Sequence, residues 1–253
     1  MTMCLFPLAK ALMALLLFAA LAVNAADVTV LSSAAFIPVL NDLGPKFEKA
    51  TGHTVQIQSD SGAALTRRIE AGEPFDVAII SPQPIDALIK QDKIAADTRT
   101  EIGRTGVGVA VRAGAPKPDV SNADTFKRTL LNARSVSYVG EGGGGKHFLG
   151  VLDRLGIMDQ MKSKLRPMPG GGAIKPVVAG ETELAVNLIP PILEERGVEF
   201  AGPLPPELQS YIGYTAGISR ASTQPGAAKA FIDFLAAPHA RPVLAARGME
   251  PAR

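Results

Sequence analysis

The stretch HTVQIQSDSGAALTRRIEAGEPFDVAIIS, residues 53–81, decides the fold class. Its first run, HTVQIQS at 53–59, is β-rich, and its last, FDVAIIS at 75–81, is a continuous apolar run of strand length. Between them Leu65 and Ile69 lie one helical turn apart, the turn SDSG offers a helix start and Gly72 a helix stop. Strand, helix and strand in this order describe a parallel pair joined by a right-handed crossover. The same alternation extends outward through DVTVLSS (27–33), GVGVAVR (106–112), SVSYVG (135–140), ELAVNLI (183–189) and YIGYTAGIS (211–219). Most of these runs are continuous, as expected for strands covered on both faces. Helical spacing links Phe36, Leu40, Leu43 and Phe47, with Pro45 expected to split the segment, and links Phe148, Leu152 and Leu155 ahead of Gly156. The chain reads as α/β.

In such folds ligands bind at the carboxyl ends of the strands. The turns expected there share one character: SSAAF after the first strand, SDSGAAL after the second, SPQP after the third, then GEGGGGKHF and PGGGAIKP. Each leads into a helix N-terminus, where free backbone N–H groups and the positive end of the helix dipole favour an anion. Ser, Asp and Pro are also ordinary helix starters, so what points to a ligand is the number of these turns and their shared position.

The N-terminus bears on compartment. Lys10 precedes an apolar run from Ala11 to Val23 that ends in Val23-Asn24-Ala25, the pattern of a cleaved signal peptide over residues 1–25. The run is short for a membrane span, and Cys4 lies ahead of it, where lipid attachment does not occur. Since Cys4 is the only cysteine, the exported chain has neither a disulfide nor a thiolate metal site. The remaining length suits two lobes of roughly 100 residues each. Lysine plus arginine (26) nearly balance aspartate plus glutamate (24), and no basic block marks a nucleic-acid surface.

Residues 140–147 read G-x-x-x-x-G-K-H, and Gly140, Gly142 and Gly145 also satisfy G-x-G-x-x-G. His147 stands where a phosphate loop needs the hydroxyl that holds magnesium. No apolar strand elsewhere ends in an acidic partner, and the next segment, KSKLRPMPGGG, lacks the ribose-binding carboxylate of a dinucleotide site. His53, His147 and His239 belong to no nucleophile elbow or zinc motif. A secreted phosphate-ester or nucleotide enzyme using Gly140 to His147 remains the competing class; the favoured reading is no enzyme, no metal and no cofactor.

The stretches VTVLSSAAF, FEKATGHTVQIQSDSGAALTRRIEAGEPFDVAIIS, GVGVAVRAGAPKP, HFLGVLDRLGI, PVVAGETELAVNLI, GPLPPELQSY and AAKAFIDFLAAPHARPVLAARGMEP together resemble the molybdate-binding-protein-like family of bacterial extracellular solute-binding proteins of ABC transporters. The resemblance covers almost the whole exported chain. It implies a type II periplasmic-binding-protein fold, with a ligand cleft between two lobes joined by crossover strands: lobe 1 from 26–105 and 214–253, lobe 2 from 106–213. It also implies a monomer in the periplasm that closes around a small anion, a molybdate- or tungstate-like oxyanion with a small organic carboxylate as the alternative, and delivers it to an inner-membrane permease. A sensing role at a membrane receptor would use the same cleft.

The resemblance places Ser32, Ser33, Ser61, Gly62 and Ser81 at the anion in lobe 1. In lobe 2, where the family has a shorter turn than Gly142 to Gly145, this chain's own candidates are Gly144, Gly145, Lys146 and Asn187. Two positions depart from the pattern. Ala35 stands where relatives carry a binding serine, and Leu188 where they carry a tyrosine that contacts molybdate. Each lost donor to a buried anion costs ~1.5–3 kcal/mol. Lys146, Asn187 and the glycine N–H groups can replace them, and a lysine in the cleft would suit an organic carboxylate better than a molybdate- or tungstate-like oxyanion.

Overall fold

The structure, a computed structural model, describes residues 25–169 and 172–252; the expected signal peptide, apart from Ala25, and two glycines of the PGGGAIKP turn lie outside the described residues. Its strands in chain order are β1 (Asp27–Ser33), β2 (Thr54–Asp60), β3 (Val77–Ile80), β4 (Thr100–Thr105), β5 (Val107–Arg112), β6 (Val136–Val139), β7 (Leu165–Met168), β8 (Leu184–Leu188), β9 (Val198–Pro203), β10 (Ile212–Ile218) and β11 (Met249–Pro251). The helices are α1 (Ile37–Thr51), α2 (Gly62–Glu70), α3 (Pro82–Lys90), α4 (Ala123–Asn132), α5 (Gly143–Arg154), α6 (Met158–Met161), α7 (Lys175–Ala179), α8 (Ile189–Glu194), α9 (Pro225–Ala236) and α10 (Arg241–Ala246).

The strands form two mixed sheets, one of six in the order β11-β4-β10-β3-β1-β2 and one of five in the order β7-β6-β8-β5-β9. The stretch 53–81 is β2-α2-β3, and both of its strands pair in parallel with β1. The sheets are not all parallel: β10 runs against β3 and β4, and β5 runs against β8 and β9. These two strands enter their sheets directly from the other sheet. No helix returns the chain beforehand, so the parallel crossover rule does not apply to them.

Each sheet is apolar on both faces. Val28, Val30, Val77 and Ile79 pack with α1 and α9 through Phe47 and Phe231, while Leu31, Ala78 and Ile80 pack with α2 and α3 through Leu65, Ile69, Ile85 and Leu88. The second sheet buries Val107, Val109 and Val136 with Phe148, Val151 and Leu152 of α5 on one face, and Ala110 and Ala185 with Ile174, Val177 and Ile192 on the other.

Helix α1 corrects one expectation, since it runs unbroken through Pro45. The clash that proline imposes on its predecessor involves the preceding Cβ, and the predecessor here is Gly44, which has none. Burial of Val39, Leu40, Leu43 and Phe47 on one side offsets the hydrogen bond that proline removes.

Two passages join the sheets: Gly106, between β4 and β5, and residues 204–211, between β9 and β10. Gln209 ties them together. Its Oε1 accepts from the Val107 N–H at 2.8 Å and its Nε2 donates to the Val107 carbonyl at 2.9 Å. Helix α8 follows the second sheet's β8 and packs on that sheet through Ile192, and it also touches the first half of the molecule. The Ile189 N–H donates to the Gly106 carbonyl (3.1 Å), and Asn41 Nδ2 of α1 donates to Glu194 (3.2 Å). Gly248 turns beneath this helix with φ +70, where a Cβ would lie 2.5 Å from Ile189 Cγ2. Leu188 packs against the main apolar clusters of both sheets.

Candidate functional site

Parallel strands β1, β2 and β3 all end on the same side of the first sheet, so their following turns converge. β1 ends at Ser33, which precedes the short turn Ala34–Phe36 and makes no capping bond; its hydroxyl lies beside the Tyr214 phenol. β2 ends at Asp60, and Ser61 caps α2 by accepting from the Ala64 N–H at 3.2 Å. That bond uses a lone pair only, so the Ser61 O–H can still donate. Gly62 opens the helix, with nothing within 4 Å of where a Cβ would stand. Ser81 caps α3 without a side-chain bond, so a free hydroxyl stands there. Ser32 differs from these. It is fully buried, and its hydroxyl donates to the Ser33 carbonyl (3.3 Å). Ala35 is packed into the core, so the position lacking a serine here contributes apolar contact instead.

The second sheet presents the turn between β6 and α5. Gly142 is the N-cap of α5, and the N–H groups of its first turn have no acceptor within the helix. Gly144 and Gly145 are both buried. A Cβ on Gly145 would fall 1.8 Å from the Val139 carbonyl oxygen, and one on Gly144 would fall 3.0 Å from Leu188 Cδ2. Both glycines thus let the helix lie against the strand end. Lys146 is exposed on that helix, and His147 Nε2 donates to the Leu208 carbonyl at 2.7 Å, fastening α5 to the second crossover. Leu188 and Ile212 flank the turn, because a Cβ on Gly143 would approach Ile212 Cδ1 to 3.4 Å. Across the opening, Arg67 of α2 pairs with Glu141 at 3.9 Å, both side chains being mostly exposed.

Buried polar groups normally find partners, so those without one mark a place where a partner is supplied from elsewhere. Among the described residues three buried side-chain atoms have none: Asn187 Nδ2, Tyr214 Oη and Thr215 Oγ1. All three lie at the strand ends that bear the turns. Thr215 is opposite Ile80, the last residue of β3; Tyr214 precedes Thr215; Asn187 is next to last in β8. Asn187 uses only its Oδ1, which accepts from the Leu188 N–H (2.8 Å). Burial pushes the Tyr214 phenol well above its ordinary range, with the Ser33 hydroxyl beside it acting in the other direction, so it stays a neutral donor.

The opposite end of the first sheet shows the contrast. There Asp76 is equally buried, but its carboxylate accepts from the Thr29 N–H (2.8 Å) and from the Ser222 hydroxyl (2.6 Å). Tyr214 and Thr215 were not legible as site residues, because an aromatic and a β-branched residue in YIGYTAGIS read as ordinary strand residues.

Two α/β lobes joined by two crossovers, with serine hydroxyls and helix N-termini at the ends of their strands, are the architecture of the periplasmic-binding-protein fold. The chain belongs to the family of bacterial extracellular solute-binding proteins, which it matches over residues 28–250. It is 31% identical over 228 residues to an aconitate isomerase of a Pseudomonas species, covering 88% of this chain and 87% of that protein. It is 28% identical to the molybdate-binding protein ModA of Escherichia coli K12, covering 84% of each chain. The solved periplasmic molybdate-binding protein of Azotobacter vinelandii superimposes with a TM-score of 0.77 at 20% identity, covering 89% of this chain and all of that one. Among the described residues no helix is long and apolar enough to cross a membrane.

Proposed function

We propose that this protein is the exported binding component of an ABC importer, and that it captures a small organic polycarboxylate of the aconitate class in preference to molybdate. The observation that carries the reading is that the unpartnered Asn187 Nδ2 and the hydroxyls of Ser33 and Ser81 stand at the strand ends, with the buried, unpartnered Tyr214 Oη behind Ser33. Uncharged donors of this kind hold an anion with hydrogen bonds, each stronger to a charged acceptor than to a neutral one.

The choice of anion follows from the apolar wall. Leu188 and Ile212 flank the glycine turn, and a tetrahedral oxyanion has no carbon to set against them, whereas a carbon skeleton does. Leu188 also stands where the resemblance to molybdate-binding proteins implies a tyrosine hydroxyl. The relative named aconitate isomerase supports the same direction, being of higher identity than the ModA relatives cited.

In this reading residues 1–25 direct export, residues 26–105 and 214–253 form one lobe and 106–213 the other, and the protein acts as a monomer. Ser33, Ser61, Gly62, Ser81, the α5 N-terminus and Asn187 take the ligand. Contacts made to both lobes at once favour the closed state, and the closed state docks on the permease. The exposed Lys146 and the buried Ser32 serve it less directly.

A thermal-shift panel tests the proposal: molybdate, tungstate, sulfate, phosphate, cis-aconitate, trans-aconitate, citrate and a neutral sugar. A ligand at 100 times its Kd stabilises the native state by ~2.7 kcal/mol. Stabilisation by the tricarboxylates and not by molybdate is expected; stabilisation by the neutral solute alone overturns the anion reading. The isomerase relative favours a second reading, in which the same cleft converts its ligand. Proton NMR of cis-aconitate incubated with the protein separates the two readings, since conversion yields the trans vinyl resonance and capture leaves the spectrum of the free acid unchanged. The nucleotide reading has less support, because His147 is engaged with Leu208 and Gly145 with Val139.

A further inference from the structure

We infer that Tyr214 is a positioning residue for the anion, donating its phenolic hydrogen to the Ser33 hydroxyl so that Ser33 in turn donates to the bound carboxylate. This rests on the proposed capture of an anion in the cleft. The ring lies in the apolar core of the first lobe, its centroid 5.2 Å from that of Phe36, and the residue is 2% exposed. Its hydroxyl is buried without a partner, next to a serine that caps nothing. β10, β3 and β1 are neighbours, with Thr215 opposite Ile80 and Ser32 opposite Ile79. The tyrosine therefore reaches across the end of β3 toward the end of β1.

A phenol and a serine hydroxyl can each donate one hydrogen and accept others. Without a ligand the pair has no fixed direction, and the phenolic donor is left unsatisfied. An anion at Ser33 takes the serine hydrogen, which frees the serine lone pairs for the phenol, and the two bonds polarise one another in the same sense. A residue present only for packing would gain nothing from its hydroxyl, because an unsatisfied buried O–H weakens the native state. The relay accounts for its presence.

Calorimetry with trans-aconitate, and separately with molybdate, tests this on the wild type, Tyr214→Phe, Ser33→Ala and the double variant. Tyr214→Phe is expected to leave the melting temperature of the free protein unchanged or raised and to weaken binding roughly 3- to 15-fold. The double variant is expected to bind no more weakly than Ser33→Ala, since the phenol acts only through that serine. Unchanged binding in Tyr214→Phe, with weaker binding in Ser33→Ala, overturns the relay and leaves the cleft reading standing. Losses that add in the double variant, together with a lower melting temperature for Tyr214→Phe, also overturn the relay. If Ser33→Ala binds normally, or the wild type binds neither anion, the cleft reading fails and the relay with it.

The chain has 3 tyrosines and no tryptophan, so the near-ultraviolet difference spectrum reads the phenols directly. Ligand addition is expected to shift tyrosine absorption in the wild type and in Tyr211→Phe. A wild-type spectrum that does not move counts against the relay even where Tyr214→Phe fails to fold.

Discussion

The two walls of the proposed cleft are built from different materials. The first lobe offers side-chain hydroxyls, those of Ser33, Ser61 and Ser81, on helix caps above a core packed on both sheet faces. The second offers backbone, the glycine-rich start of α5, with Leu188 beside it and the buried amide of Asn187 at the end of β8. A hydroxyl can be removed without disturbing its helix, whereas a backbone N–H is inseparable from the packing that aims it. Substitution should therefore act on affinity in the first lobe and on stability in the second.

The largest effect expected is from Gly145→Ala. Its Cβ would meet the Val139 carbonyl at 1.8 Å, backbone against backbone. The helix has to shift, and thermal or urea unfolding should register a loss of about 3 kcal/mol. Gly62→Ala, at the corresponding first turn in the other wall, meets open space and should be neutral or stabilising by ~0.5 kcal/mol. Equal losses at both positions would erase the contrast. Next in size, Ser33→Ala and Ser81→Ala should each weaken anion binding by about 1.5–3 kcal/mol, read by calorimetry, with little change in the melting temperature of the free protein.

Leu188→Tyr sharpens the comparison by returning a hydroxyl to the glycine wall. It should raise the affinity for molybdate relative to trans-aconitate by roughly tenfold, the worth of about one hydrogen bond to an anion. Arg67→Ala breaks the exposed pair that spans the walls. Its effect on affinity should stay below about 1 kcal/mol and vanish in high salt.

The smallest effect lies outside the cleft. The Arg247 hydrogen bond holds the Asp42 carboxyl below its ordinary value of 3.8. A depressed carboxylate stabilises the fold above the unfolded value and loses that contribution as pH falls through the folded one. Asp42→Asn should therefore destabilise slightly at neutral pH, by less than about 1 kcal/mol for a pair about a third exposed, and the difference from the wild type should shrink as pH falls below 3.8.

The runs that became β1, β3, β5, β6 and β8 were legible because strands buried on both faces must be apolar without interruption. β4, β7, β9 and β11 were not. TEIGRT, LRPM, VEFAGP and MEP carry charges or prolines and become strands only because a neighbour offers a ladder to complete. The serine caps could be found from Ser61-Gly62 and Ser81-Pro82, since capping is local chemistry. The working of Gly145 and Tyr214 could not, because it depends on Val139 in one case and on Ser33, far away in sequence, in the other.

The amide of Gln209, bonded to both the N–H and the carbonyl of Val107, makes two separate passages into one joint. Two untied strands would let the lobes twist, slide and gape independently, and a ligand would spend part of its binding energy suppressing those freedoms. With the passages fastened, relative motion narrows toward a single axis, and the open state holds fewer arrangements to give up. The binding energy of a very small ligand then goes largely into affinity, the advantage that preorganisation confers on any receptor.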